Sequence, residues 1–215
     1  HRLGRTLAAA PDTFGTDGRP GGLLGAVCAP GRNTVAAHDI LDAVLTSLSG
    51  IWPSGNMIDG VPVGDCWRHP AVHGPGLTAG WVPFHKLSQW LTYSLLEPFG
   101  WAGVTVTGLD DLTGLPEYRN GGLFLDTGVL RLCEGVQVDH SYRAADEVVI
   151  EWRALTVTLL DELAPLVRDR LGVDAEKLPL ARVLEGGSWA AGRALAQRLR
   201  DGLPPLTVIS DGTVF

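Results

Sequence analysis

The sequence is poor in lysine, methionine and cysteine. Lys86 and Lys177 are the only lysines among 17 basic residues, so nearly all of the positive charge is arginine. The chain has one methionine and three cysteines, and no two cysteines form a CxxC motif (Cys28, Cys66 and Cys133). An odd number of scattered cysteines argues against a disulfide scaffold and favours a reducing, cytoplasmic compartment.

Excess positive charge and long apolar runs are also missing. The formal net charge is −7, and charged residues make up 19% of the chain. An acidic balance disfavours nonspecific binding to nucleic acids or anionic membranes, because both need a basic surface. No run of about 18 apolar residues occurs, which predicts that no segment of this chain spans a membrane. We therefore expect neither a nucleic acid nor a membrane as a partner.

The chain has enough apolar material for a self-sufficient core. Its 215 residues are 45% hydrophobic, which is typical of one globular domain covering 1–215. The sequence begins at His1, without an initiator methionine or the apolar core of a signal peptide. Either the start has been removed or the chain is a piece of something longer.

Apolar periodicity predicts a mainly α-helical fold. Helical spacing runs through 36–48 and 84–96, and it is strongest over 145–171, with Gly172 as the helix cap. A buried helix interrupted by Gly128 is expected over 123–132, a polar loop at 134–143, and short helices at 178–184 and 189–199. Minor β structure is expected as a small hairpin near 56–67 and as a C-terminal strand followed by a turn at Asp211-Gly212. The sequence thus indicates a compact multi-helix domain with few short strands.

Three charged clusters lie in apolar, aromatic surroundings. Lys86 follows His85 in VPFHKLSQWL and either holds a phosphate or carboxylate or only solubilises the helix. Glu117 opens PEYRNGG and either lies in a cleft beside Arg119 and Asn120 or only caps a helix. Glu151 and Arg153 open the longest helix and form either part of a site or a structural buried pair.

Two further patterns are weaker. The spacing Cys66-x2-His69-x3-His73 resembles a metal site, but no fourth ligand is evident and the loop is rich in proline and glycine. The run GGSWAAGR predicts a helix N-terminus at which Ser188 caps the helix, and at which backbone N–H groups and Arg193 can attract an anion.

Long motifs across nearly the whole chain resemble one protein family. It comprises the proteins of uncharacterised function that are encoded with the URC route of uracil catabolism in fungi and bacteria. Family members normally carry a further N-terminal portion, so the resemblance implies that 1–215 is the C-terminal half of a longer chain. The motifs are DGRPGGL, GDCWRHPAV, VPFHKLSQWLTYSLLEP, LTGLPEYRNGGLFLDTGVL, VIEWRALTVTLLD, LPLARVLEGGSWAAGR and SDGTVF.

A second, more distant resemblance implies a mechanism. The order HKLSQ, PEYR, EWRALTV over about 85–160 is similar to the order of motifs in the queuosine salvage family of helical N-glycosidases. That likeness implies that Lys86 is the active-site lysine, that Glu117 stands for the catalytic aspartate, and that Glu151 and Arg153 support the site. The catalytic set is then Glu117, Lys86 and Glu151, with substrate-binding residues His85, Tyr118, Arg119, Asn120, Trp152, Arg153 and Trp90.

These resemblances imply a hydrolase of the nucleosidase type. The expected reaction cleaves the N-ribosyl bond of ribosylurea 5′-phosphate, a small phosphorylated ribosyl substrate, to urea and ribose phosphate, without metal or cofactor. A carboxylate near the anomeric carbon suits the oxocarbenium-like transition state of such a reaction. One alternative is a metal-dependent hydrolase of a ureido group that uses Cys66, His69, His73 or His140. Another is a non-catalytic partner of the ring-opening enzyme. The missing N-terminal half or a second copy of the chain is a further expected partner.

Overall fold

A computed structural model describes residues 1–210 and 212–214 and confirms a mainly α-helical protein. The helices are α1 (Arg2–Ala9), α2 (Pro11–Phe14), α3 (Gly22–Val27), α4 (Ala37–Leu48), α5 (Lys86–Trp101), α6 (Tyr118–Asp126), α7 (Glu147–Leu171), α8 (Leu180–Val183) and α9 (Trp189–Arg200). Three short 3-10 segments (Ser49–Ile51, Gly76–Thr78 and Leu109–Asp111) and one π-helical segment, Leu184–Ser188, complete the helical structure.

The strands are short and pair two by two. They are β1 (Thr34–Ala36), β2 (Met57–Ile58), β3 (Val61–Pro62), β4 (Cys66–Arg68), β5 (Trp81–Pro83), β6 (Thr105–Thr107), β7 (Ser141–Arg143) and β8 (Thr207–Ile209). Strands β2 and β3 form the predicted hairpin, and β8 is the predicted C-terminal strand. Strand β1 pairs in parallel with β6, and β8 pairs in parallel with β7, in a stretch expected to be a loop. The turn expected at Asp211-Gly212 includes Asp211, which lies outside the described residues.

The chain divides into two compact units. The first comprises His1–Cys66 and Leu87–Leu112, and the second comprises Trp67–Lys86 and Thr113–Phe215. Helix α5 therefore begins in the second unit with Lys86 and continues in the first. That one domain covers 1–215 and is part of a longer chain stays a prediction.

The core of the first unit is built around α4. Its apolar residues recur three and four positions apart, so they share one face of the helix. Along that face they take part in three apolar clusters. Val44 and Leu48 pack with Leu7 and Phe14, whereas Ile40 packs with Phe99. A third cluster joins Ala37, Leu41 and Leu112.

In the second unit, α6 packs against both α7 and α9. A Cβ atom on Gly121 would lie 2.7 Å from the indole nitrogen of Trp152 on α7. A Cβ atom on Gly192 of α9 would overlap the backbone carbonyl of Arg119 on α6. Glycine is therefore needed at both contacts, and each allows α6 to approach a neighbouring helix closely.

The longest predicted helix is confirmed. Helix α7 runs through Pro165 and ends at Gly172, whose left-handed conformation (φ 66°, ψ 36°) provides the expected cap. Its first turns bury Val149, Ile150 and Arg153. Among the described residues, no helix is both long enough and apolar enough to cross a bilayer.

Candidate functional site

Glu117 forms the N-cap of α6. The sequence placed a buried helix further along, over 123–132, whereas the structure begins α6 at Tyr118 and ends it at Asp126. The helix begins early because both carboxylate oxygens of Glu117 accept backbone N–H groups. Oε2 accepts from Arg119 at 2.9 Å, and Oε1 accepts from Asn120 at 2.8 Å. These bonds satisfy two N–H groups that a helix end leaves unpaired.

This carboxyl group is buried beside positive charge. Glu117 is 5% exposed, and its burial raises the pKa of the carboxyl group above the usual value. The N–H groups of Arg119 and Asn120 and the charges of Arg119 and Lys86 act in the opposite direction and lower the pKa. A buried carboxyl group with such opposed influences is typical of an active site, although structural networks also produce it.

Lys86 and Glu117 are thus close enough for the charge of Lys86 to act on the carboxyl group. Lys86 is 6% exposed, so it does not simply solubilise the surface of its helix. The preceding residue, His85, has a backbone φ of 48°, which side-chain-bearing residues adopt infrequently. Such conformations cluster at functional sites, and here His85 lies between β5 and the start of α5 at Lys86.

Asn120 connects Glu117 to the π-helical segment. Its side-chain amide donates to the carbonyl of Leu115 at 3.0 Å, and its Oδ1 accepts a hydrogen bond from Ser188 Oγ at 2.8 Å. Asn120 is completely buried and Ser188 is 4% exposed. The two side chains therefore hold the first turn of α6 in a fixed position.

The prediction that Ser188 caps a helix is wrong. Helix α8, the π-helical segment and α9 follow one another without a break, and Ser188 has helical backbone angles (φ −62°, ψ −38°). Its side chain makes no capping hydrogen bond and instead binds Asn120. The extra residue of a π turn changes the direction of the side chains that follow, and π segments occur frequently at functional sites.

Arg119 lies between two aromatic rings. Its guanidinium carbon is 4.6 Å from the ring centroid of Tyr118 and 4.5 Å from that of Trp189. Its Nη1 lies 3.7 Å from Glu117 Oε2. The rings and the carboxylate together restrain the cation, as cation–π contacts do.

Arg153 is buried and contacts the residue that precedes Glu117. It is 1% exposed, and its Nε donates to the carbonyl of Pro116 at 3.2 Å. Its guanidinium carbon lies 4.1 Å from the ring centroid of Phe84. Arg153 therefore connects α7 to the segment that carries Glu117, and the neighbouring Trp152 packs against α6.

Glu151 is paired with His69, which its sequence context suggests only as a metal ligand. His69 Nε2 lies 3.3 Å from Glu151 Oε1, and its Nδ1 accepts the backbone N–H of Ala71 at 3.2 Å. An Nδ1 that accepts leaves the neutral ring with its proton on Nε2, so the ring donates to Glu151. The carboxylate is half exposed whereas the histidine is nearly buried.

The described residues give the metal hypothesis no support. They contain no group of three or more histidine, cysteine, aspartate or glutamate side chains placed to hold a metal ion. Burial and the nearby charge of Asp65 raise the pKa of the Cys66 thiol to about 11, so this thiol is protonated at neutral pH. The Cys66 thiol is therefore a weak nucleophile at neutral pH.

The predicted site residues thus lie mainly in the second unit. Trp90 lies in the first unit, on α5, and is 44% exposed. Its predicted part in substrate binding stays a prediction, as do the roles of the other site residues. In the second unit, the residues predicted for the site are Lys86, Glu117, Glu151, His85, Tyr118, Arg119, Asn120, Trp152 and Arg153.

Comparisons with known proteins give a consistent family match. The family model described as "Protein of unknown function (DUF1688)" matches residues 1–215. Over 99% of its length the chain is 41% identical to "Uracil catabolism protein 4" of Lachancea kluyveri, of which the match covers 54%. Over 92% of its length it is 41% identical to "Protein urg3" of Schizosaccharomyces pombe, of which the match covers 50%. No solved structure matches. The chain spans about half the length of these curated relatives.

Proposed function

Because this chain belongs to the DUF1688 family, and one relative is named a uracil catabolism protein, we propose that it acts in uracil catabolism as an N-glycosidase. Its proposed substrate is ribosylurea 5′-phosphate, which it hydrolyses to urea and ribose 5-phosphate. The observation that carries this proposal is the buried carboxyl group of Glu117, which two backbone N–H groups hold rigidly beside Lys86 and Arg119.

The chemistry requires a carboxylate at the anomeric carbon. The bond between C1′ and nitrogen breaks, the bonding electrons leave with the nitrogen, and positive charge develops on the sugar ring. Glu117, as the anion, stabilises that charge. Its two backbone hydrogen bonds orient the carboxylate before the reaction, so little reorganisation is needed as the charge develops.

Water completes the reaction. Its hydroxyl oxygen bonds to C1′, one proton is released, and the departing urea nitrogen takes up one proton. Glu151 is the candidate for accepting the proton of water, because it is half exposed and His69 orients its Oε1. Lys86 favours the ionised form of Glu117, since its charge lowers the pKa of that carboxyl group.

The direct test measures urea release by the full-length protein from ribosylurea 5′-phosphate. We expect turnover by the wild type and a loss of roughly 10²-fold or more in kcat for Glu117→Gln, which keeps the shape and removes the charge. Glu162→Gln is the matched control, because Glu162 is exposed on α7 of the same unit. It should leave kcat unchanged.

The pH profile gives an independent reading of the role of Glu117. Because the anion is the active form, kcat/KM should rise with pH through a pKa above the usual glutamate value. Absence of urea from a folded wild-type protein would reject the activity. Full turnover by Glu117→Gln would remove this residue from the mechanism and leave the activity standing.

The other two hypotheses are less well supported. A metal-dependent hydrolase needs a ligand cluster, and the described residues hold none of three or more suitable side chains. The buried arrangement of Lys86 and Glu117 favours a catalytic role over that of a non-catalytic partner.

A further inference from the structure

Two arginines contact the same tryptophan ring next to the proposed catalytic carboxyl group. The guanidinium carbons of Arg119 and Arg193 lie 4.5 Å and 4.2 Å from the ring centroid of Trp189. Arg119 belongs to the first turn of α6, and Arg193 lies one turn after Trp189 on α9. Two helices therefore direct positive charge to one place.

This concentration of positive charge is unusual in a chain whose net charge is −7. Like charges that share one ring repel each other, and the repulsion is greater where water is partly excluded. Glu117 Oε2 pairs with Arg119 at 3.7 Å. Arg193 is exposed and can turn toward a ligand.

Two of these residues also carry buried N–H groups that need acceptors. Within the part of the chain that the structure describes, Arg119 Nε and Trp189 Nε1 are buried and have no hydrogen-bond partner. A buried N–H group without an acceptor costs free energy, and such a group in a native protein commonly marks the place of a bound water or ion. An acceptor-rich anion would satisfy both groups.

We propose that Arg119, Arg193 and Trp189 form a subsite for a phosphomonoester group. The identification of this group as the 5′-phosphate of the ribosyl substrate rests on the proposed function. A guanidinium matches two phosphate oxygens at once, and the indole N–H can donate to a third. Contact between Arg119 and Glu117 then places the phosphate-binding group next to the carboxylate that acts at the sugar.

The first experiment measures binding without catalysis. Isothermal titration calorimetry of the full-length protein compares three ligands: ribose 5-phosphate, inorganic phosphate and ribose. We expect binding of ribose 5-phosphate and of inorganic phosphate, and little binding of ribose. Arg193→Gln should weaken ribose 5-phosphate binding about tenfold, the loss expected for one charge-assisted hydrogen bond. Arg198→Gln removes the same charge from an exposed position of α9 and should change nothing.

Trp189→Phe keeps an aromatic ring, although a smaller one, and removes the N–H donor. It should weaken phosphate binding less than Arg193→Gln does, while Tm stays close to that of the wild type. Equal binding of ribose and ribose 5-phosphate would overturn the subsite. Equal weakening by Arg193→Gln and Arg198→Gln would overturn it too, because only general charge would then matter.

The second experiment separates this proposal from the reaction itself. If ribosylurea and its 5′-phosphate are both substrates, Arg193→Gln should raise KM for the phosphorylated compound alone. If no urea is released but phosphate binding depends on Arg193, the subsite stands and the proposed reaction falls. If both compounds are hydrolysed and Arg193→Gln affects neither, the reaction stands and the subsite falls.

Discussion

Glu117 is both a helix cap and a buried carboxyl group. It caps α6, and it also lies buried beside Lys86 and Arg119. Aspartate, serine and threonine are the usual capping residues. The longer side chain of glutamate lets each oxygen reach a separate backbone N–H group, at the cost of placing the carboxyl group in a poorly hydrated position.

The burial of the Glu117 carboxyl group makes the free energy of unfolding depend on pH. Since the pKa of Glu117 is raised in the folded protein, the folded state binds more protons than the unfolded state between the usual glutamate pKa (about 4.3) and the raised value. The contribution of Glu117 to the free energy of unfolding is therefore largest below this window and falls as the pH rises through it. Glu117→Gln removes this dependence.

We expect the Tm of Glu117→Gln, relative to that of the wild type, to increase as the pH rises above about 4.3. Thermal unfolding at a series of pH values measures the difference. Glu162→Gln should show no comparable trend, since Glu162 is exposed. A Tm difference for Glu117→Gln that stays constant with pH would contradict the raised pKa.

His69 is predicted to act as a positioning residue for Glu151. Replacing it by leucine removes the N–H group that donates to Oε1, and kcat should fall roughly tenfold or more with little change in KM. His69→Gln retains an N–H group of similar reach and should restore most of the loss. A purely structural role would lower Tm alike in both variants and show no such rescue.

His73→Gln provides the control for this prediction, because His73 lies exposed in the same loop. Steady-state kinetics of urea release, with a pH profile for each variant, makes the comparison. Unchanged kcat in His69→Leu would show that Glu151 needs no partner.

Individual residues differed in how far their sequence context revealed them. Lys86 and Glu117 were identifiable because lysine is rare in this chain and PEYRNGG has the composition of a helix start. His69 and Glu151 are 82 positions apart, and Asn120 and Ser188 are 68 apart. No pattern within one segment of the sequence predicts a contact between residues so far apart. These pairs are therefore identified only in the folded structure.

At the scale of elements, α6 is held by glycine contacts and by an ion pair. Arg200 of α9 binds both carboxylate oxygens of Asp126, the last residue of α6, at 2.8 and 2.7 Å. Gly121 and Gly192 allow close packing near its start. The helix that presents Glu117 is therefore fixed at both ends.

Gly192→Ala should destabilise the protein, because its Cβ atom would overlap the backbone of Arg119. Overpacking of this kind costs about 1–3 kcal/mol, which lowers Tm by several degrees in a chain of this size. Gly187→Ala is the matched control, since a Cβ atom there meets nothing within 4 Å. Calorimetric melting of both variants compares them, and equal Tm values would contradict the close approach of α6 and α9.

Elements with strong local periodicity were predictable, and those that depend on distant pairing were not. Helices α4, α5 and α7 and the hairpin of β2 and β3 follow from patterns within one segment. Strand β7 has three residues and exists through pairing with β8. The π-helical segment also has no periodic signal, since it interrupts helical spacing by a single residue.

At the scale of the whole chain, the second unit carries nearly all of the proposed machinery. Every predicted site residue except Trp90 belongs to it, as do His69, Ser188, Trp189 and Arg193. The chain also covers only about half of its curated relatives. Activity measurements therefore belong with the full-length protein, whereas the stability predictions concern residues within this chain.

The two parallel strand pairs have a consequence for the order of folding. Thr34 pairs with Thr105 in the first unit, and Ser141 pairs with Thr207 in the second. Pairing these strands closes the long stretch of chain between them into a loop, which costs conformational entropy. Strands of only three residues offset that cost once the intervening helices have packed. Helices such as α4 and α7 can begin from local contacts, so each unit should close its strand pair late, and the C-terminal strand joins a structure that is already largely assembled.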